Sequence, residues 1–321
     1  MNEVLKYSIK RFFTMLFTLF IIATATFFLL AALPGDALTE RAERLPEQIK
    51  INLYKKYGLD KPLLERYVIT MKGMVAGDFG ESVIFPGETV PSIIKAKLPA
   101  SARLGFGQLV LGVGLGLILG IIAAVKKGTW IDYVVVTLSI LLISVPHLIL
   151  GLLLQKVFAG SLGWFPVIGW PKGDEQWFGG WQYTVLPTVT GSFAYIAVYT
   201  RLLKTSMLEV LSQDYILTAE SKGLSKWQII RRHVLRNSFL PVITFLPMSI
   251  AMCITGSFFI EKIFSIPGLG LYYVNAVSGR DVTVVIGQTV ILAAMYIIVI
   301  YFTDILYTVV DPRIRILGGK R

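Results

Sequence analysis
Six stretches of this chain carry no Asp, Glu, Lys or Arg over a length that crosses a lipid bilayer, and this restricts its fold more than any other feature. They are Phe12–Leu33, Leu104–Val125, Tyr133–Gln155, Tyr183–Thr200, Asn237–Ile260 and Val282–Thr303. About 18 to 20 apolar residues in a helix span the ~30 Å of hydrocarbon. In lipid a helix satisfies its own backbone hydrogen bonds, so such runs predict an all-α integral membrane protein. Only 16% of the 321 residues are charged, against about 25% in soluble domains. Six crossings place both termini on one side.

The first stretch follows Lys6, Lys10 and Arg11, as a secretory signal core would. Its length and the sequence Leu33, Pro34, Gly35, Asp36 at its end argue for a retained helix. Orientation follows from the basic residues, which concentrate in cytoplasmic segments. With the N-terminus inside, sixteen Lys and Arg fall in cytoplasmic segments and four (Lys156, Lys172, Lys262 and Arg280) in the two short external loops. The remaining eleven lie in the long segment 34–103 beside nine acids. The expected arrangement is N-in, C-in. The net charge of +11 is therefore accounted for by topology, without a nucleic-acid partner.

Within the second stretch Gly112, Gly116 and Gly120 recur at four-residue spacing, with Ala124 continuing the row. Residues four apart share a helix face, and glycine there admits a second backbone. The row predicts a packing seam, either inside the chain or against a partner. Pro146, Pro187, Pro241 and Pro247 favour kinks, which occur in static bundles as well as in moving ones. No span has an acid or base at its middle; Gln108, Gln155, Gln288 and His147 are the main strongly polar groups. A carrier coupled to protons or sodium needs ionisable groups there, so the driving force is expected from elsewhere. A single cysteine, Cys253, and two distant histidines, His147 and His233, offer no metal site. There is no phosphate-binding Gly-x-x-x-x-Gly-Lys-Ser/Thr loop and no hydrolase motif. No catalytic residue and no cofactor is expected.

The longest cytoplasmic segment runs from Arg201 to Arg236 and reads as two short helices. Asp214 is suited to cap the first, Gly223 to end it in a left-handed turn, and Ser225 to cap the second. Tyr215, Ala219 and Leu224 give the first helix a small apolar stripe that a groove on a soluble partner would accept. A solvated basic loop that merely enforces topology is the alternative.

This loop resembles the EAA loop of ABC importer permeases, Glu-Ala-Ala-x-x-x-Gly, through Thr218, Ala219 and Gly223, with Leu217 where the pattern has Glu. Beyond it, Arg232, His233, Leu235 and Asn237 precede a late Pro241 and resemble the peptide-transporter branch. So do Pro34 and Gly35, the run Tyr57 to Pro62, the run Gly77 to Ser82, and Glu261 with the run Ile263 to Gly270. Arg280 with Asp281, Asp304 with Tyr307, and Asp311 to Arg315 complete the likeness. The chain is similar to the B-type permease subunit of dipeptide/oligopeptide ABC importers, a branch shared with nickel and glutathione importers. The resemblance implies the type I permease fold, with a helical extracytoplasmic segment between helices 1 and 2. It divides the chain into 1–33, the outer segment 34–103, the permease core 104–312 with a coupling loop 205–236, and a tail 313–321. It implies a second, homologous permease, two cytoplasmic ATPase subunits that hold ATP and Mg, an extracytoplasmic peptide-binding protein, and a bacterial or archaeal plasma membrane. By position, Tyr215, Ala219, Glu220, Lys222, Gly223 and Leu224 would contact the ATPase. Phe264, Pro267, Gly268 and Gly270 would form an outer gate, or else a plain turn. A passive channel and an intramembrane enzyme are the competing classes; the second lacks a buried nucleophile and base.

Overall fold
A computed structural model describes residues 3–32, 46–173 and 175–310. The described residues are helical, apart from short loops and an isolated bridge between Glu81 and Thr89. They divide into two compact units, residues 1–99 with 267–321 and residues 100–266.

The first unit contains α1 (Glu3–Ala31), α2 (Glu47–Lys56) and α3 (Leu63–Val75). It also holds the first turns of α4 (Val90–Val125). Helix α4 begins fourteen residues before the predicted apolar stretch and passes into the second unit after Pro99. Later in sequence come α12 (Leu269–Ser278) and α13 (Val282–Val310). Helix α13 packs along α1 and on α12. Val90, Ile93, Leu269, Val284 and Val285 form the buried centre of this unit.

The second unit contains the rest of α4, α5 (Trp130–Ser144), α6 (His147–Leu154) and α7 (Trp181–Leu211). These are followed by α8 (Asp214–Ser221), α9 (Lys226–Ile229), α10 (Leu240–Ile254) and α11 (Phe258–Ile263). The stretch predicted as one span from Tyr133 to Gln155 is broken: α5 and the helix starting at His147 meet at 100°. The cause is Pro146, which drives the preceding residue out of helical geometry; Val145 is extended, with ψ 126°. The second helix of the loop is not short either, because α9 continues through the π turn Ile230–Val234 into Leu235–Ser238.

Among the described residues four helical stretches are long and apolar enough to cross a membrane: Ser8–Ala31, Val90–Val125, Leu240–Ile263 and Val282–Thr303. The bent pair makes a fifth. Helix α7, which contains the predicted stretch Tyr183–Thr200, has 31 residues but does not reach the same apolarity, because that uncharged stretch is itself rich in Thr, Tyr, Ser, Gly and Pro.

The glycine row is a seam inside the second unit. A Cβ at Gly112 would lie 2.4 Å from Cβ of Tyr195, at Gly116 2.8 Å from Cβ of Tyr199, and at Gly120 2.9 Å from the Thr200 carbonyl. Helices α4 and α7 therefore approach as closely as their backbones allow, and Thr200 Oγ1 donates to the Gly116 carbonyl at 3.2 Å. The span glutamines act as ties. Gln108 donates to the Pro187 carbonyl at 3.2 Å, Gln155 to the Val167 carbonyl at 2.7 Å, and Gln288 to the Leu269 carbonyl at 2.7 Å.

Candidate functional site
The loop after α7 is built on one buried cluster of Tyr199, Leu203, Met207, Ile216, Ala219, Ile229, Val234 and Val242. Helix α8 joins that cluster through Ile216 and Ala219, which sit three residues apart on one face. Asp214 does not cap it; Gln213 occupies the cap position without a side-chain bond, and Asp214 is the acid of the first turn, favoured there by the helix dipole. Gly223 ends the helix at φ +79°. Its N–H donates to the Glu220 carbonyl at 2.9 Å and the Leu224 N–H to the Ala219 carbonyl at 3.3 Å, the two bonds of a Schellman motif. Ser225 then caps α9 in a reciprocal capping box with Gln228. The Tyr215 hydroxyl accepts from Asn237 Nδ2 at 3.0 Å, which ties α8 to the end of the following helix.

The expected contact residues therefore divide. Ala219 is 5% exposed and packs inward, so its small size serves the seat of the helix. Leu224 is half-buried against the same cluster. Tyr215, Glu220, Lys222 and Gly223 are exposed. Two apolar side chains beside them, Leu217 at 60% and Trp227 at 63% exposure, were missed by sequence reading, although an apolar residue in a basic loop was the available signal.

Behind this loop Asp132, near the start of α5, forms an ion pair with Lys204 of α7 and accepts the Gly128 N–H at 3.1 Å. Neither the pair nor the burial of Asp132 was legible from spacing, because the partners lie 72 residues apart. Glu261 on α11 is likewise fully buried and accepts from Ser101 Oγ at 2.7 Å and from the Ser257 N–H at 3.2 Å.

The proposed gate residues separate between the units. Phe264 caps α11 and is buried in the second unit among Leu104, Leu186 and Ile260. In the first unit Pro267 is exposed, while Gly268 caps α12 and Gly270 is buried in its first turn. Between them Ser265 adopts φ +52°.

In the first unit three distant motifs meet. The Tyr57 hydroxyl donates to the Ser82 carbonyl at 3.2 Å, and Ser82 Oγ donates to Asp281 Oδ2 at 2.6 Å. Asp281 also accepts the Ile84 N–H at 3.2 Å and caps α13 through the Val284 N–H at 3.2 Å. Next to this clasp lies a cleft of about 490 Å³ whose polar lining includes Lys56, Arg66, Asp78, Glu81 and Arg280. Glu81 accepts from Gly87 N–H at 2.7 Å and Lys56 Nζ at 2.9 Å. Those two donors hold its carboxyl below the ordinary carboxylate range, and Glu81 in turn raises the Lys56 ammonium.

Comparison with known proteins adds the family. The family model "Binding-protein-dependent transport system inner membrane component" matches residues 116–316. The chain belongs to that family. A second model, "Binding-prot-dependent transport system membrane comp, N-term", matches residues 4–85 and so covers α1 to α3 and part of the clasp. The dipeptide transport system permease protein DppB of Bacillus subtilis (strain 168) is 40% identical over 311 residues, covering 97% of this chain and 98% of the relative. The oligopeptide transport system permease protein OppB of Salmonella typhimurium is 37% identical over 312 residues, covering 97% and 99%. The solved inward-facing MetNI methionine ABC transporter covers 68% of this chain and 96% of its own, at a TM-score of 0.52 and 15% identity, a likeness of fold.

Proposed function
We propose that this chain is the permease subunit of an ABC importer for dipeptides or oligopeptides and forms half of the translocation pathway. The end-to-end likeness to dipeptide and oligopeptide permeases, 36–40% identical over 97% of the chain, carries the reading. On this reading a second, homologous permease supplies the other half, and an extracytoplasmic binding protein delivers the peptide. Two cytoplasmic ATPase subunits bind ATP and Mg, and this chain performs no catalysis of its own.

Six crossings fit the chain: α1, α4, the bent α5–α6 pair, α7, α10 with α11, and α13, with both termini inside a bacterial or archaeal plasma membrane. Helix α8 is then the coupling helix. Its inner face is locked to α7 by Ile216 and Ala219, so a push on its outer face moves α7 as one body. Tyr215, Leu217, Glu220, Lys222 and Gly223 form the docking face, with Ala219 and Leu224 as its seat. The segment from Phe264 to Gly270 is the outer gate. Alternating access follows when nucleotide binding closes the ATPases and shifts both permeases between inward and outward states.

The test uses the chain co-purified in mild detergent and reconstituted in liposomes. Leu217→Asp is expected to leave the chain in the membrane while reducing ATPase recovery and peptide-stimulated hydrolysis by about tenfold or more, the scale of one lost apolar anchor. Gly223→Pro is expected to abolish uptake, since proline cannot adopt a positive φ. Full uptake by both variants refutes the coupling assignment. Peptide uptake in ATP-depleted vesicles, or uptake of nickel or glutathione in place of peptide, refutes the function itself.

A further inference from the structure
Helix α3 (Leu63–Val75) presents three different faces. Tyr67 meets α1: its hydroxyl is 2.9 Å from Thr24 Oγ1, and its ring centroid lies 5.4 and 5.1 Å from those of Phe27 and Phe28. Arg66, Thr70 and Gly73 line the cleft. Leu64, Val68, Met71 and Val75, spaced i, i+4, i+7 and i+11, share a third face. Leu64, Val68 and Val75 on it are 69%, 45% and 89% exposed, whereas charged Glu65 and Lys72 lie to one side.

The contact with α1 fixes the depth of this helix at Tyr67. The apolar stretch Ser8–Ala31 has 24 residues, about 36 Å of helix, and Thr24 lies about 10 Å inside its end. With ~30 Å of hydrocarbon centred on that stretch, Thr24 is below the headgroup boundary. Helix α3 has 13 residues, about 20 Å, too short to cross. The neighbouring flank of α1 is itself apolar and exposed at Phe28 and Leu29, so the apolar surface continues from one helix to the other.

We propose that α3 lies in the plane of the membrane at the headgroup–acyl boundary, with Leu64, Val68, Met71 and Val75 against lipid chains. A short helix with an apolar stripe and flanking basic groups takes up this position, burying its stripe by ~5–10 Å. Lys72 beside the stripe reaches headgroup phosphates while its stem remains in apolar surroundings. The inference needs α1 to cross the bilayer and is independent of what the chain transports.

The test places nitroxides at 64, 65, 68, 71, 72 and 75, one at a time, in full-length Cys253→Ala protein, since Cys253 is the single cysteine. The protein, with its co-purifying partners, is reconstituted in phosphatidylethanolamine and phosphatidylglycerol. Collision with oxygen, which concentrates in lipid, is compared with collision with a water-soluble nickel chelate. Oxygen is expected to dominate severalfold at 64, 68, 71 and 75, and the chelate at 65 and 72. Dominance of the chelate at 64 and 68 places the stripe in water, and protection from both quenchers places it under a protein partner; either result overturns the proposal. The six-site pattern is the readout, so one disturbed position does not decide it, and loss of peptide uptake alone leaves the pattern readable.

Discussion

Gly112 and Gly114 are two residues apart on α4 and meet opposite surroundings. A Cβ at 112 falls 2.4 Å from Tyr195 Cβ, while at 114 nothing lies within 4 Å. Gly112→Ala is expected to destabilise the chain by about 1–3 kcal/mol through overpacking. Gly114→Ala is expected to be neutral or to stabilise by up to ~1 kcal/mol, the helix-propensity gain. Thermal unfolding in detergent compares the two, and equal losses would dissolve the seam. A second residue-scale expectation concerns Glu81 and Lys56. Folding lowers the Glu81 carboxyl from its ordinary 4.5, so its contribution is present above that value and is lost as pH falls through the lower folded value. Folding raises the Lys56 ammonium from 10.5, so its contribution is complete below that value and is lost only as pH rises above it. Protease cleavage in the 80–89 loop is expected to increase on acidification below about pH 4. Glu81→Gln is expected to give the same increase at neutral pH. A loop equally resistant at both acidities would show that the pair does not hold it.

At the scale of elements, the Asp132–Lys204 pair joins α5 to α7, and α7 shares its buried cluster with α8. Both charges are largely buried, so removing one leaves the other without a partner. Asp132→Ala is expected to cost about 3 kcal/mol, and Asp132→Lys with Lys204→Asp to recover part of it. A detergent melting curve unchanged by Asp132→Ala would show that the pair contributes nothing. The loop also shows how far element boundaries can be read locally. Gly223 and Ser225 were identified correctly because a left-handed C-terminus and a capping box are made by residues adjacent in sequence. The inward turn of Ala219 was not, because α8 alone offers two faces and only the cluster around Tyr199 selects one.

For the whole molecule, the proposed N-in, C-in arrangement would place α8 inside and the 80–89 loop outside. In Cys253→Ala protein, a cysteine replacing Leu217 is expected to react with a membrane-impermeant maleimide only from the cytoplasmic side. A cysteine replacing Glu88 is expected to react only from the opposite side. Reaction of both from one side would remove the topology on which the coupling assignment stands.

The amino-acid order by itself determined the lipid-soluble runs, the seam-forming glycines, a kink at Pro146 and the C-terminal end of α8. Each depends on neighbours within one or two helical turns. Only the tertiary structure decided that the seam is filled by α7, that Asp132 finds Lys204, that Ala219 faces inward, and that Ser82 and Asp281 bond across 199 residues. Periodicity specifies which side chains share a face. What that face meets is set by packing among elements distant in sequence, and spacing along the chain carries no record of it.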